Sequence, residues 1–460
     1  MATNANVSTL RPLSAWQKAA FVFGNLGWSL ASYGVSNLLN YFYVPNLVDG
    51  TPMFPRFIRT GSVVLGLTIV GLVAFGGRLF DAITDPMIAG MSDRSGHRLG
   101  KRRVYMAVSA GPLGLFSLLV FVPLSPVQIG ANVVWLVATL LLFYLFFTMY
   151  MVTISAWVSE LGHSSRERLD LATLSSIGWA VGFALGNLAY AIQGGFERAG
   201  ADPMRAFQYT MAIFSVVSVV ALLLPVLAIP ERNHAREATS GVGSFTAMVR
   251  TLKDRNFVVF LVSQFFYWIA LTFIQTGIAY IAVTLLGLDK SFASLAMTVL
   301  FVTSFVFYVP VNVAARRYGK KPMLAAAFVL LSLGYVFTFF AGWYPFPPRA
   351  QGLVIALITS LPIAIFTIIP FALIADMAEV NGRRTGNHKA GMYFAVRGLV
   401  MKGGIAVSSL LFPTIVLWGG EEVTASGVRA TAVAAFVACV IGAGIIIRWF
   451  EEPALQAPHD

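Results

Sequence analysis

Residues 77–90 read GRLFDAITDPMIAG and continue an apolar run that includes VVLGLTIVGLVAFG at 63–76. The run exceeds the roughly 20 apolar residues that a helix needs to cross a bilayer. Yet it holds Arg78, Asp81 and Asp85. On a helix Asp81 and Asp85 lie four apart and share a face, about one turn from each other, with Thr84 and Arg78 flanking that face at three-residue spacing. Asp93 closes the run twelve residues after Asp81, which places Asp81 about 18 Å inside, near mid-membrane. A carboxylate at that depth costs at least about 2.5–3.5 kcal/mol, and a second on the same face adds repulsion.

Two arrangements would compensate. Arg78 could pair with one acid, as a satisfied ion pair with no further role. Alternatively, the two carboxylates and nearby hydroxyl oxygens form a hard-oxygen cage for Na+ or a proton. Pro86 favours the cage, because it cannot donate to the carbonyl of Ala82 and so frees one backbone oxygen beside the acids. An ion pair would also need only one aspartate.

The rest of the chain has the same character. Of its 460 residues 57% are hydrophobic and 11% charged, and its mean hydropathy is +0.76. So few charges could not keep a soluble protein of this size in solution. Apolar runs at 15–44, 62–90, 103–123, 129–158, 171–193, 207–229, 256–285, 291–314, 322–343, 351–378, 390–417 and 425–449 predict an all-α membrane protein with twelve transmembrane helices. The first residues are polar and the stretch after Lys18 is too long for a signal sequence, so it is expected to stay as a span. Cys439 is the single cysteine and excludes an intramolecular disulfide.

Charge sets the orientation. With both termini cytoplasmic, 22 of the 32 Lys and Arg residues fall in cytoplasmic segments, 7 on the other side and three inside spans. That distribution accounts for the net charge of +12 without a nucleic-acid partner. The segment 230–255 separates residues 1–229, six spans, from residues 256–460, six more. Each half has a basic, glycine-containing loop after its second span, DRSGHRLGKRR at 93–103 and RRYGKK at 316–321. Two six-helix halves with matching loops point to parallel repeats around a central cavity, the major facilitator fold. In the first loop, Asp93 with Arg94, Arg98 and Arg102 is the expected cytoplasmic gate. Lys402, in VMKGG, is placed to neutralise an aspartate when the cation is absent, whereas Arg397 is expected to snorkel from near the cytoplasmic end.

Several segments in order resemble the glycoside–pentoside–hexuronide:cation symporters, the melibiose-permease-like branch of the major facilitator superfamily. They are DAITDP at 81–86 with the loop SDRSGHRLGKRR, TMYMVTISAWVSEL at 148–161 with SSRERLDL, ADMAEVNGRRTGNHKAGMYFAV at 375–396, and VMKGG at 400–404. The resemblance implies that Asp81 and Asp85 are the cation-binding acids, with Thr84 between them and Thr148 completing the site, and that Lys402 lies close by for coupling. The sugar-recognising carboxylates of the galactoside permeases do not carry over. Ser29 and Met151 stand where that branch has aspartates, and Ser176 where it has an arginine. The cation machinery is kept, and a simple galactoside is not the expected cargo.

Polar positions at helical spacing supply a candidate substrate cavity: Asn25, Ser29 and Tyr33 in the first span, Trp179 in the fifth, and Gln264, Trp268 and Gln275 in the seventh. The alternative is that such residues glue helices together. Gly178, Gly182 and Gly186 repeat every four residues and read as a close helix contact. Intramembrane charge, with Arg78, Arg397 and Lys402 against Asp81 and Asp85, favours an anionic or zwitterionic solute such as a uronide. The expected function is symport coupled to Na+ or H+, with no organic cofactor, by a monomer in the plasma membrane surrounded by lipid. The alternatives are a sodium-dependent lysophospholipid transporter, whose animal members also lack the sugar carboxylates, and a non-transporting sensor. Phosphate-loop, HExxH and GxSxG patterns are absent and the five histidines show no metal-ligand spacing, which argues against an enzyme.

Overall fold

The computed structural model describes residues 12–235, 251–385, 390–418 and 420–453. Most of the 230–255 linker and part of the GRRTGNHKAG stretch lie outside the described residues. Helix α1 (Ala15–Tyr33) opens with a capping box between Ser14 and Gln17 and passes through a π-helical turn, Gly34–Leu38, into α2 (Leu39–Tyr43). Then come α3 (Ile69–Asp93), α4 (Arg103–Leu119), α5 (Gly130–Leu161), α6 (Ser165–Asn187), α7 (Ala189–Arg198), α8 (Pro203–Ala228) and the short α9 (Glu231–His234). The later helices are α10 (Arg255–Tyr280), which runs into a π turn at Ile281–Leu285, α11 (Ser291–Val306), α12 (Tyr308–Tyr318), α13 (Lys320–Phe339), α14 (Pro348–Thr385), α15 (Ala390–Val416) and α16 (Ala425–Trp449). Side-chain oxygens of Ser164, Asp202, Asp254 and Thr424 accept backbone N–H groups at the starts of α6, α8, α10 and α16.

Among the described residues, eight helices are long and apolar enough to cross a membrane, or nine if α11 and α12, bent by 48°, form one span. Helix α4 is apolar but shorter. The run 62–90 is not helical throughout. Ser62–Val64 pairs with Leu67–Thr68 in a small hairpin, and the helix starts only at Ile69. The turn between these strands places Leu65 and Gly66 at positive φ, which ends any helix there. Helix α3 still has 25 residues, about 37 Å of length; its charges, not its length, set it apart from the eight.

The chain forms two compact units. The first takes the described residues up to Pro45, Pro52–Arg59 and those from Gly76 to 235. The second takes Asn46–Thr51, Thr60–Phe75 and the described residues from 251 on. A single cut along the chain therefore does not separate them, because the start of α3 is grouped with the second unit and the rest with the first.

In the first unit α1 packs between α6 and α8. A Cβ at Gly182 would lie 2.5 Å from the Leu26 carbonyl oxygen, and Gly178 and Gly186 face α1 just as tightly. That is the close contact expected of the glycine repeat. In the second unit α10 packs on α15 and α16, and α13 on α14 and α16. Gly404 of α15 faces the backbone of α10 at Phe265.

Each unit also carries the same anchoring device. The buried Glu231 carboxylate accepts the backbone N–H groups of Arg102 and Arg103 at the start of α4, at 3.0 and 2.7 Å. Glu452 accepts those of Lys320 and Lys321 at the start of α13, at 2.7 and 3.0 Å. An acid over unsatisfied N-terminal N–H groups is stabilising. In both loops a glycine with positive φ, Gly100 or Gly319, leaves room for the carboxylate.

Candidate functional site

Helix α3 carries Asp81 fully buried, and α5 presents Thr148, also fully buried, beside it. The Thr148 hydroxyl donates to Asp81 Oδ1 at 2.7 Å. Thr84 bonds back to the carbonyls of Phe80 and Asp81, at 3.0 and 3.1 Å, and its Oγ1 lies 3.4 Å from Thr148 Oγ1. Back-bonding of this kind is the usual fate of a threonine inside a helix. Here it also holds the hydroxyl toward α5. Asp85 follows one turn later and is half-buried. Pro86 stays inside the helix, so its missing N–H leaves the Ala82 carbonyl without that donor.

Arg78 contacts Ser36 and Tyr144. Its Nη2 donates to Ser36 Oγ at 2.7 Å, and its guanidinium lies 5.3 Å from the centre of the Tyr144 ring. The oxygens gathered at Asp81, Thr84 and Thr148 suit a hard cation. Among the described residues no group of three or more His, Cys, Asp or Glu could hold a metal ion.

The loop expected to act as a gate is built around one arginine. Arg102 bonds Asp93 and Ser92 at the end of α3 and reaches Glu160 at the end of α5, with Nη2 to Oε1 at 3.0 Å. Lys101 meets the same Glu160 oxygen at 3.0 Å. Arg94 and Arg98 are exposed and make no ion pair among the described residues. The members missed from the sequence are Glu160, Glu231, Ser92 and Lys101. The available signal was an acid closing an apolar run, in SEL at 159–161, at the same end as a basic loop. In the second unit, Lys320 pairs with Asp376 of α14 in a comparable way.

The cavity candidates divide. Ser29 Oγ donates to the Trp179 carbonyl at 2.7 Å, and Tyr33 donates to Asn187 Oδ1 at 2.7 Å. Asn25 bonds Phe21 and Trp28 of its own helix. All three are buried and occupied in holding α1 to itself and to α6, as the glue alternative describes. Trp179 has an exposed ring. Gln264 is fully buried, and neither its Oε1 nor its Nε2 has a hydrogen-bond partner among the described residues; Trp268 Nε1 is in the same position. Gln275 is half-buried. On α15 Lys402 is buried, and so is Arg397. Arg397 does not snorkel: it is 9% exposed and lies over the Phe371 ring at 4.2 Å.

Residues 20–448 match the family described as MFS/sugar transport protein. The chain is 23% identical over 85% of its length to the glucuronide carrier protein homolog of Escherichia coli K12, covering 84% of that protein. It is 21% identical over 60% of its length to the isoprimeverose transporter of Lactiplantibacillus pentosus, covering 58% of that relative. In fold it is similar to the crystal structure of the nucleoside transporter NupG, with a TM-score of 0.67 at 10% identity over 95% of this chain and all of that one. These matches agree with the resemblance to glycoside and hexuronide symporters read from the motifs. The chain thus belongs to the MFS/sugar transport protein family, as a multi-pass transporter of the plasma membrane and not an enzyme.

Proposed function

We propose that this protein is a cation-coupled symporter that moves a small, sugar-like, anionic or zwitterionic solute by alternating access. Asp81, Asp85, Thr84 and Thr148 bind Na+ or H+, and Lys402 and Arg78 couple occupancy to conformation. Twelve spans with both termini cytoplasmic complete the reading, with the loop from Asp93 to Arg103 as part of the cytoplasmic closure. The observation that carries it is the buried Asp81–Thr148 contact, with the Thr84 hydroxyl beside it. Buried carboxylates in a membrane persist where they serve an ion or proton path. The names of the relatives, a glucuronide carrier homolog and an isoprimeverose transporter, support a sugar-like cargo.

The test is uptake into proteoliposomes with and without imposed Na+ and H+ gradients. Wild type should accumulate substrate only with one of them. Asp85→Asn should still allow exchange down a gradient but lose accumulation. Uphill uptake by that variant would remove Asp85 from the cation site, and competition by lysolipid but not by glycosides would change the cargo.

A further inference from the structure

We propose that Arg397 anchors a carboxylate on the transported solute, so that the cargo is a sugar acid of the uronide type and not a neutral glycoside. This rests on the transporter reading above and assigns the part of the cargo that carries the charge.

The first observation is isolation. The Arg397 guanidinium makes no hydrogen bond and no ion pair among the described residues, and its Nε is buried without an acceptor. Among the described residues the guanidinium lies over the Phe371 ring and interacts with the buried Tyr267 hydroxyl, neither of which carries a negative charge to pair with it. A single aromatic face returns only part of the cost of taking a guanidinium out of water. Other arginines of the chain show what a settled one looks like. Arg102, similarly buried, meets Asp93, Glu160 and Ser92. Arg103 donates to the Val226 carbonyl at 2.6 Å, and Arg429 to those of Phe339 and Ala341 at 3.0 and 3.1 Å.

The second observation is that nearby acids of the same unit are engaged elsewhere. Tyr393, one turn before Arg397, donates to Asp254 at 3.1 Å. Asp376, on the helix that carries Phe371, pairs with Lys320. A buried intramembrane cation with no acidic partner among the described residues points to a substrate path. The planar fork of a guanidinium matches a carboxylate through two parallel hydrogen bonds. No second Lys or Arg stands within four residues of Arg397 on α15, which fits a single negative charge better than a phosphate dianion. Phe371 is itself 50% exposed, so an aromatic face lies beside the anchor, as a pyranose ring bearing one carboxylate would require.

The experiment compares para-nitrophenyl β-D-glucuronide with para-nitrophenyl β-D-glucoside, which differ only in the oxidation of one carbon. Both are assayed for binding and uptake with the full chain in proteoliposomes. Wild type should favour the glucuronide, and Arg397→Gln should weaken it by about ten- to a hundredfold while leaving any glucoside signal unchanged. Arg397→Lys should fall between, since it keeps the charge and loses the fork. It carries the test if the Gln variant is not recovered as folded protein. Equal loss of both glycosides in a folded variant, equal handling of both by wild type, or no saturable glucuronide binding at all would each overturn the proposal. Failure of the symport reading is separable. Gradient-independent uptake that still discriminates through Arg397 would sink the coupling and keep the anchor.

Discussion

Thr148 shows how much can rest on one hydroxyl. Its oxygen lies between Asp81 Oδ1 at 2.7 Å and Thr84 Oγ1 at 3.4 Å, with no exposure to solvent. A hydrogen bond to a charged acceptor contributes about 1.5–3 kcal/mol, more than a neutral one. Thr148→Ala should therefore lower both thermal stability and cation affinity, the latter by about ten- to a hundredfold. Thr148→Ser keeps the oxygen and should recover most of the affinity. Cation-dependent thermal shift of the three proteins measures this; an Ala variant with wild-type cation stabilisation would remove Thr148 from the site. The acids and Thr84 were readable from their spacing alone, because four residues make one helical turn. Thr148 was not, since nothing local tells a threonine on α5 that α3 is beside it; there only the family motif pointed to the position. Arg397 failed for a related reason. Its place near a helix end suggested snorkelling, and only the packing of α14 and α15 shows it over Phe371.

At the scale of elements, small residues decide which helices touch. The α1–α6 contact leaves no room for a side chain at Gly182, since the atom that a Cβ would meet is the backbone oxygen of Leu26 at 2.5 Å, which cannot swing aside. Gly182→Ala should push the helices apart and cost about 1–3 kcal/mol. The control is Gly195 in α7, where a Cβ would find nothing within 4 Å. There the same change should be neutral or stabilise by about 0.5–1 kcal/mol, because alanine is the better helix former. Thermal unfolding in detergent compares the two, and a lower midpoint for Gly195→Ala than for Gly182→Ala would contradict the packing argument. The glycine spacing was legible in advance because it repeats on one helix face. The polar stripe of the first span was not: Asn25, Ser29 and Tyr33 have the spacing of a cavity wall and of a helix contact alike. The structure uses them to hold α1 internally and against α6. The hairpin at 62–68 was hidden for another reason, because its valines and leucines are as apolar as the helix that follows.

At the scale of the molecule, the charge pattern makes a claim that reaches beyond helix packing. In the proposed twelve-span topology, 22 of the 32 Lys and Arg residues fall on the side of the termini, which the positive-inside rule reads as cytoplasmic. The repeated anchoring of basic loops by Glu231 and Glu452 suits this reading, since parallel repeats put corresponding loops on the same side. Arg98 and Arg198 are both exposed and fall on opposite sides in this arrangement. Cys439, the single cysteine, is fully buried, so it should contribute little to surface labelling and can be left in place. In right-side-out vesicles, a membrane-impermeant maleimide should modify Arg198→Cys at once and Arg98→Cys only after lysis. The reverse order would invert the topology. It would also place the Asp93, Arg102 and Glu160 cluster on the outside, where it would close the opposite gate.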